Sequence, residues 1–217
     1  MNVRIKVCGI CSLEDALACS AAGVDALGFL CGVPVSVRSY IDPDAAGEII
    51  RRLPPYVSSV LVTILSDAAQ IQKMLDKTSV SALQLQGPIQ PAAVESLRNG
   101  NPHLKIIKAI HIIDESAVQE AQSWQPFADA LLLDTKGEGA LGGTGKTHNW
   151  KLSRRIAETL RIPVILAGGL SPDNVAQAVE TVRPFAVDVN SGVTGQPPAK
   201  NLVKVSEFVK RARQAGV

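Results

Sequence analysis

Two side chains with opposite proton chemistry stand at the ends of two apolar runs. The run Leu131-Leu132-Leu133 ends on the carboxylate of Asp134. The run Arg4–Cys8 ends on a thiol. Short apolar runs of this kind read as strands buried on both faces, as in parallel sheets. A reactive group at the exit of such a strand sits where α/β enzymes place their chemistry. Asp134 and Cys8 could divide acid–base work. The carboxyl donates a proton near neutrality only if its pKa is raised, for instance beneath a closing apolar loop. The thiol accepts one only if its pKa is lowered, and Lys6 is a nearby source of positive field. On residue chemistry alone, Cys8 reads first as a buried strand cysteine.

Other strand ends add to this inventory. They are Gln86, Lys108, Gly168-Gly169 and the stretch Asp188 to Val193, with Arg38 in the long loop after the second strand. Gly168-Gly169-Leu170-Ser171 and Asn190-Ser191-Gly192-Val193 each follow a late strand. Glycine lets the backbone approach a phosphate, and free N–H groups attract anions. Phosphate sites in barrels often lie in the loops after strands seven and eight. A lone Gly-Gly also serves plain turns, but two such loops in succession favour phosphate binding.

Ala140–Thr147, ALGGTGKT, imitates a P-loop in which Lys146 would hold phosphates and Thr147 would ligand Mg²⁺. The strand ends at Asp134, so this loop does not spring directly from it, and too little chain follows for a nucleotide-binding sheet. A Gly-rich lid beside Asp134 is the preferred reading. Cys8-Gly-Ile-Cys11 matches C-x-x-C, with Cys19 and Cys31 completing the cysteines. No second C-x-x-C follows, and His103, His111 and His148 lack ligand spacing. Reduced thiols are therefore favoured over a metal site or a disulfide framework.

Positioning these groups takes a repeating strand–helix unit. The expected strands are 4–8, 26–30, 57–65, 82–85, 105–110, 130–134, 164–167 and 186–189. The expected helices are 12–22, 43–53, 67–77, 91–99, 114–124, 150–160, 172–181 and 200–213. Ser12 before Glu14-Asp15, Asp42-Pro43-Asp44 and Ser171-Pro172-Asp173 read as helix starts. Gly23 and Gly100 read as stops. Eight such units over residues 1–217 predict a single (β/α)₈ TIM barrel, class α/β. An open doubly wound sheet is the competitor, because one false strand would change the count.

Composition narrows the partners. Lys+Arg 22 against Asp+Glu 20 leaves a net charge of +2, too balanced for a nucleic-acid surface. Aromatics are 4%, so aliphatic residues must fill the interior. The start moves straight into a strand pattern, and no apolar stretch has the length to cross a bilayer. A cytoplasmic protein with no membrane partner is expected, either monomer or homodimer.

The ordered motifs KVCGI (6–10), DALGFL (25–30), SVRSYI (36–41), LQLQG (83–87), LLLDT (131–135), GGTGKTHNW (142–150), LAGGLSPDNV (166–175) and VDVNSGV (187–193) resemble the phosphoribosylanthranilate isomerase family of tryptophan biosynthesis. The resemblance runs through nearly the whole chain. It implies an Amadori rearrangement of a small-molecule sugar phosphate, N-(5-phosphoribosyl)anthranilate, with no cofactor and no metal. It implies Cys8 as general base and Asp134 as general acid. It further implies that Arg38 pairs with the anthranilate carboxylate and that Gly168, Gly169, Ser191 and Gly192 cradle the phosphate. Gln86 and Asp188 complete the expected substrate contacts. The chain departs from the family pattern at Gln86, where histidine is usual, and at Cys31, Val37, Cys11 and the third strand. These departures point to the anthranilate end of the pocket. They leave open a branch that acts on, or only binds, a related aminated sugar phosphate.

Overall fold

In the computed structural model, which describes residues 3–135 and 147–216, eight parallel strands close into a barrel in sequence order, β1 pairing with both β2 and β8. The strands are β1 (Arg4–Cys8), β2 (Ala26–Leu30), β3 (Ser58–Thr63), β4 (Ala82–Leu85), β5 (Lys105–Ile112), β6 (Ala130–Thr135), β7 (Val164–Leu166) and β8 (Ala186–Val189). The helices that follow them are α1 (Leu13–Ala21), α2 (Pro43–Ile50), α3 (Ala68–Thr78), α4 (Pro91–Gly100), α5 (Ser116–Trp124), α6 (Trp150–Thr159), α7 (Val175–Val182) and α8 (Leu202–Ala215). The closed order excludes the open sheet and fits the expected (β/α)₈ architecture.

Strand alternation sorts the apolar residues into two cores. Ile5, Val7, Leu27, Phe29, Leu83, Leu85, Leu131, Leu133, Val187 and Val189 face outward and pack under the helices. Cys8, Leu30, Val60, Val62, Ile107, Ala109, Leu132, Ile165 and Ala167 fill the barrel interior. Each even-numbered strand opens with an interior alanine, Ala26, Ala82, Ala130 or Ala186. Polar inward positions follow toward the C-terminal ends: Lys6 on β1, Gln84 on β4, Asp134 on β6 and Asp188 on β8.

The opposite face is clamped twice by the same device. Asp25, before β2, accepts from Ile5 N at 2.9 Å and pairs with Arg4 at 3.1 Å. Asp129, before β6, accepts from Ile106 N at 2.8 Å and pairs with Arg98 at 3.1 Å. Each carboxylate occupies a strand-entry N–H that has no ladder partner.

Two helix starts stand as expected: Ser12 Oγ accepts from Asp15 N at 3.1 Å, and Asp42 Oδ1 accepts from Asp44 N at 2.9 Å before Pro43. At the third, a separate turn intervenes. Ser171 Oγ accepts from Asp173 N at 3.2 Å, and the regular helix starts only at Val175. Gly23 terminates its helix with φ +89°. Gly100 instead lies in the last turn of α4, which Asn101 closes by donating its amide to Leu97 O at 2.8 Å. Among the described residues, no helix is long and apolar enough to cross a membrane.

Candidate active site

A cavity of about 580 Å³ opens at the C-terminal end of the strands. This is within the range of small-molecule sites. Cys8, Arg38, Gln86, Asp134, Gly168, Gly169, Asp188 and Ser191 all line it. Residues separated by the length of the chain thus meet because each ends, or closely follows, a parallel strand.

On the thiol side, β1 turns Lys6 and Cys8 inward on alternate positions. Lys6 Nζ donates to Asp188 Oδ2 at 2.9 Å, an ion pair with side chains only 3% and 8% exposed. Lys6 and Asp188 are direct partners in the β1–β8 register. Cys8 stands opposite Gly28 of β2. A Cβ at Gly28 would come within 2.8 Å of Cys8 Sγ and 3.0 Å of Lys6 Nζ, so the glycine makes room for both. Burial pushes the Cys8 thiol above its ordinary value, while Lys6 and Lys200 pull it down and Asp188 pushes it up. Lys6 therefore lowers the thiol as the sequence suggested, but burial outweighs it. The Lys6 ammonium itself is disfavoured by burial, yet Asp188 holds it above the usual lysine range.

On the carboxyl side, the polar partners are neutral. Gln86 Nε2 donates to Asp134 Oδ2 at 2.8 Å, and Thr135 N donates to Oδ1 at 2.8 Å. Gln84 Nε2 donates in turn to Gln86 Oε1 at 2.9 Å. Gln86 thus engages both ends of its amide and holds the carboxyl as well as lining the cavity. Burial raises Asp134 above the ordinary carboxylate value; His111 opposes this, Asp188 adds to it, and the two hydrogen bonds oppose it. The strand pairing puts His111 of β5 directly beside Asp134.

The two glycine loops touch each other and the acid. Gly168 and Gly169 have φ of +82° and +66°, values open to glycine at little cost. A Cβ on Gly168 would overlap Thr135 and reach within 2.9 Å of Asp134 Oδ1. A Cβ on Gly192 would overlap the backbone of Leu170, so the loop after β8 lies directly on the loop after β7. The N–H groups of Gly168, Gly169, Ser191 and Gly192 have no backbone acceptor among the described residues. Gly168, Gly169 and Ser191 line the cavity and Gly192 does not, so three of these donors stand at one end of it, an arrangement that suits an anion.

Several expected positions are corrected. Lys108 is not at the cavity. Its parity on β5 turns it outward, where Nζ donates to Ala109 O at 2.6 Å and lies 5.4 Å from the Trp124 ring centre. Cys31 is buried in the shell under the helices, and neither it nor Cys11 lines the cavity. Of the singled-out departures, Gln86, Val37 and, from the third-strand run, Val62 and Ile64 reach the cavity wall. The four cysteines are unpaired, and the described residues form no metal-binding cluster of three or more His, Cys, Asp or Glu side chains. Lys146 and the glycines of the P-loop-like stretch lie outside the described residues. Thr147 is exposed just before α6, and a closed barrel is not the sheet a P-loop serves.

Asn190 belongs to the phosphate-loop stretch read from the sequence, whereas Gln84 and Lys200 have no site role in that reading. Gln84 shares inward parity with Gln86, so period-two counting from that residue would have found it. Lys200 lies in a loop and carries no such signal.

The whole-chain comparisons agree with this geometry. Residues 5–211 match the family described as N-(5'-phosphoribosyl)anthranilate (PRA) isomerase. An N-(5'-phosphoribosyl)anthranilate isomerase of Methanocella arvoryzae is 42% identical over 210 residues, covering 97% of this chain and 98% of the relative. The crystal structure of phosphoribosyl anthranilate isomerase from Thermotoga maritima superposes with a TM-score of 0.87 at 36% identity, over 98% of this chain and 99% of that one. A phosphoribosyl anthranilate isomerase in complex with reduced 1-(o-carboxyphenylamino)-1-deoxyribulose 5-phosphate gives 0.84 at 33% identity, with the same coverage.

Proposed function

The chain belongs to the N-(5'-phosphoribosyl)anthranilate isomerase family, and on that premise we propose that Asp134 and Cys8 are the acid and base of its reaction. The reaction converts N-(5'-phosphoribosyl)anthranilate to 1-(o-carboxyphenylamino)-1-deoxyribulose 5-phosphate in tryptophan biosynthesis. Asp134, shifted toward its neutral form by burial, gives its proton to the furanose ring oxygen. The bond from that oxygen to C1 breaks, and the anilino nitrogen supplies the electrons of the resulting iminium. The Cys8 thiolate then removes the proton on C2. The C2–H electrons become the C1–C2 double bond, and the nitrogen recovers its pair. The enolamine tautomerises to the ketone, so carbon C2 is oxidised and C1 reduced within one molecule.

Binding residues follow from the cavity's polarity. The N–H groups of Gly168, Gly169 and Ser191 at the cavity, with that of Gly192 beside them, receive the phosphate. Arg38, exposed at the cavity wall and without an ion pair among the described residues, takes the anthranilate carboxylate through its planar fork. Asp188 Oδ1 is buried without a partner among the described residues and accepts from a sugar hydroxyl. Fixing both ends of the substrate turns binding energy into alignment of C1 and C2 between acid and base.

The observation that carries this reading is one cavity lined by Cys8, Asp134 and both glycine loops. The test is loss of anthranilate-type fluorescence when the purified chain meets phosphoribosylanthranilate. Turnover should collapse in Cys8→Ser and in Asp134→Asn, with the fold retained by circular dichroism. Unchanged turnover in both variants overturns the assignment.

A further inference from the structure

Lys200 is 6% exposed, and its ammonium has no carboxylate partner among the described residues. Nζ donates to Asn190 Oδ1 at 2.8 Å. The buried carboxylate nearby, Asp15, is turned to the Lys200 backbone N–H, at 3.2 and 3.3 Å from its two oxygens. Burying an ammonium against a neutral amide is costly unless something else requires the charge.

Its location says what that is. Asn190 Oδ1 lies 2.7 Å from where a Cβ on Gly9 would stand, and Gly9 follows Cys8 directly. The Lys200 ammonium therefore reaches the Cys8 peptide segment through one amide. Lys6, the other cation near the thiol, lowers it more than Lys200 does, but its partner Asp188 pushes the thiol back up. The field of a paired cation is partly cancelled by its anion, whereas an unpaired cation adds a field with no such offset.

We propose that Lys200 is a positioning residue for catalysis, its unpaired ammonium favouring the thiolate form of Cys8 from behind the Asn190 amide. The proposal rests on the reading of Cys8 as base. The charged and titratable groups facing the thiol are Lys6 on β1, Asp188 on β8 and Lys200 in the loop before α8. Those facing the ammonium are Cys8, Cys11, Cys19 and Asp15. Lys200 is pulled down by burial and raised by Cys8, as coupling between the two groups requires.

The test is the pH dependence of iodoacetamide alkylation at Cys8, resolved from the other cysteines by peptide mass. In Lys200→Met the midpoint for Cys8 should move to higher pH. Turnover at neutral pH should fall by about three- to tenfold for each unit of that move, the smaller figure applying where the greater basicity of the thiolate returns part of the loss. KM should stay within about threefold, and Lys200→Arg should restore both. An unmoved midpoint overturns the proposal. So does a raised KM with an unmoved midpoint, which would assign the ammonium to the substrate phosphate. Coupling is reciprocal, so a second variant tests it without altering Lys200. In Cys8→Ser, the Lys200 Cε resonance should titrate at lower pH than in the parent. An unchanged titration there also overturns the proposal. If the alkylation midpoint moves while Cys8→Ser keeps full turnover, the field stands and the reading of Cys8 as base fails.

Discussion

The thiol and the carboxyl line the same cavity, and burial is the largest influence on both, yet their surroundings are of opposite kind. Around Cys8 the polar groups are charged: Lys6, Asp188 and Lys200. Around Asp134 the hydrogen-bond partners are neutral, the Gln86 amide and the Thr135 N–H, while His111 and Asp188 act on it through charge in opposite senses. The difference follows from what each group must do. Burial favours the neutral form, which is the working form of an acid and the idle form of a base. The acid needs only orientation, and amides supply it. The base needs its charge returned, and cations supply that.

Both groups stand above their ordinary values, 3.8 for the carboxyl and 9.0 for the thiol. The reactive species, thiolate with protonated carboxyl, is then a minor form. Its fraction is constant between the two pKa values, because each pH unit that gains tenfold in thiolate loses tenfold in carboxylic acid. Raising Asp134 or lowering Cys8 by one unit multiplies that fraction tenfold. In the second case part of the gain is returned, since a less basic thiolate is a weaker base.

The largest effects should come from removing either proton carrier. Asp134→Asn and Cys8→Ser are each expected to lower kcat by about 10²–10⁴-fold, measured by single-turnover fluorescence. A double variant should be little worse than the poorer single one, because both act on the same conversion. Next in size is the pH profile. It should be flat across neutrality, with its acidic limb set by Asp134 and its alkaline limb by Cys8. A narrow bell centred near neutrality would break the contrast drawn above.

A smaller effect should separate the two sides. Gln86→Leu removes a donor that stabilises the ionised carboxylate, so the Asp134 pKa rises further and the acidic limb moves to higher pH. Turnover on the plateau should change by no more than about tenfold, since a hydrogen bond to a charged group is worth roughly 1.5–3 kcal/mol and only its protonation-dependent part enters. The alkaline limb should not move. Movement of both limbs together would mean that the acid and base sides are one coupled network.

His148 should affect stability and leave both limbs in place. It bridges β6 to α6, with Nδ1 2.9 Å from Thr135 Oγ1 and Nε2 2.6 Å from Ser153 Oγ, and burial pushes it down to about 4. The unfolded chain binds this proton at the ordinary 6.5. Between about 4 and 6.5 the unfolded state therefore holds more protons. His148 neutrality favours the fold fully above 6.5, and that advantage fades as pH falls toward 4. The loss is at most about 3 kcal/mol. Urea titrations at pH 7 and pH 5 should show a steeper decline for the parent than for His148→Gln.

Most of the barrel was legible in the chain. Apolar runs of strand length, set between helix starts such as Ser12 and Asp42-Pro43, gave the order of elements, and the strand ends gave Cys8, Asp134, Gly168-Gly169 and Asp188. Boundaries slipped where local signals compete: Pro172 looks like a first helical residue, but the Ser171 turn holds it outside α7. A strand-end position alone points Lys108 to the cavity, whereas parity on β5 turns it outward. Lys200 was invisible, since a loop lysine carries no period.

The sequence by itself determined which residues end each strand and, through alternation, which of them could face inward. That much is local, because side-chain direction repeats every two residues along any strand. Only the closed barrel decided that Lys6 meets Asp188, that Gln86 holds Asp134, and that an ammonium from the loop before α8 lies behind the thiol. Those partners lie 182, 48 and 192 residues apart, and no local preference reaches across such distances. Burial, which sets the proton affinity of both Cys8 and Asp134, likewise exists only once the strands close.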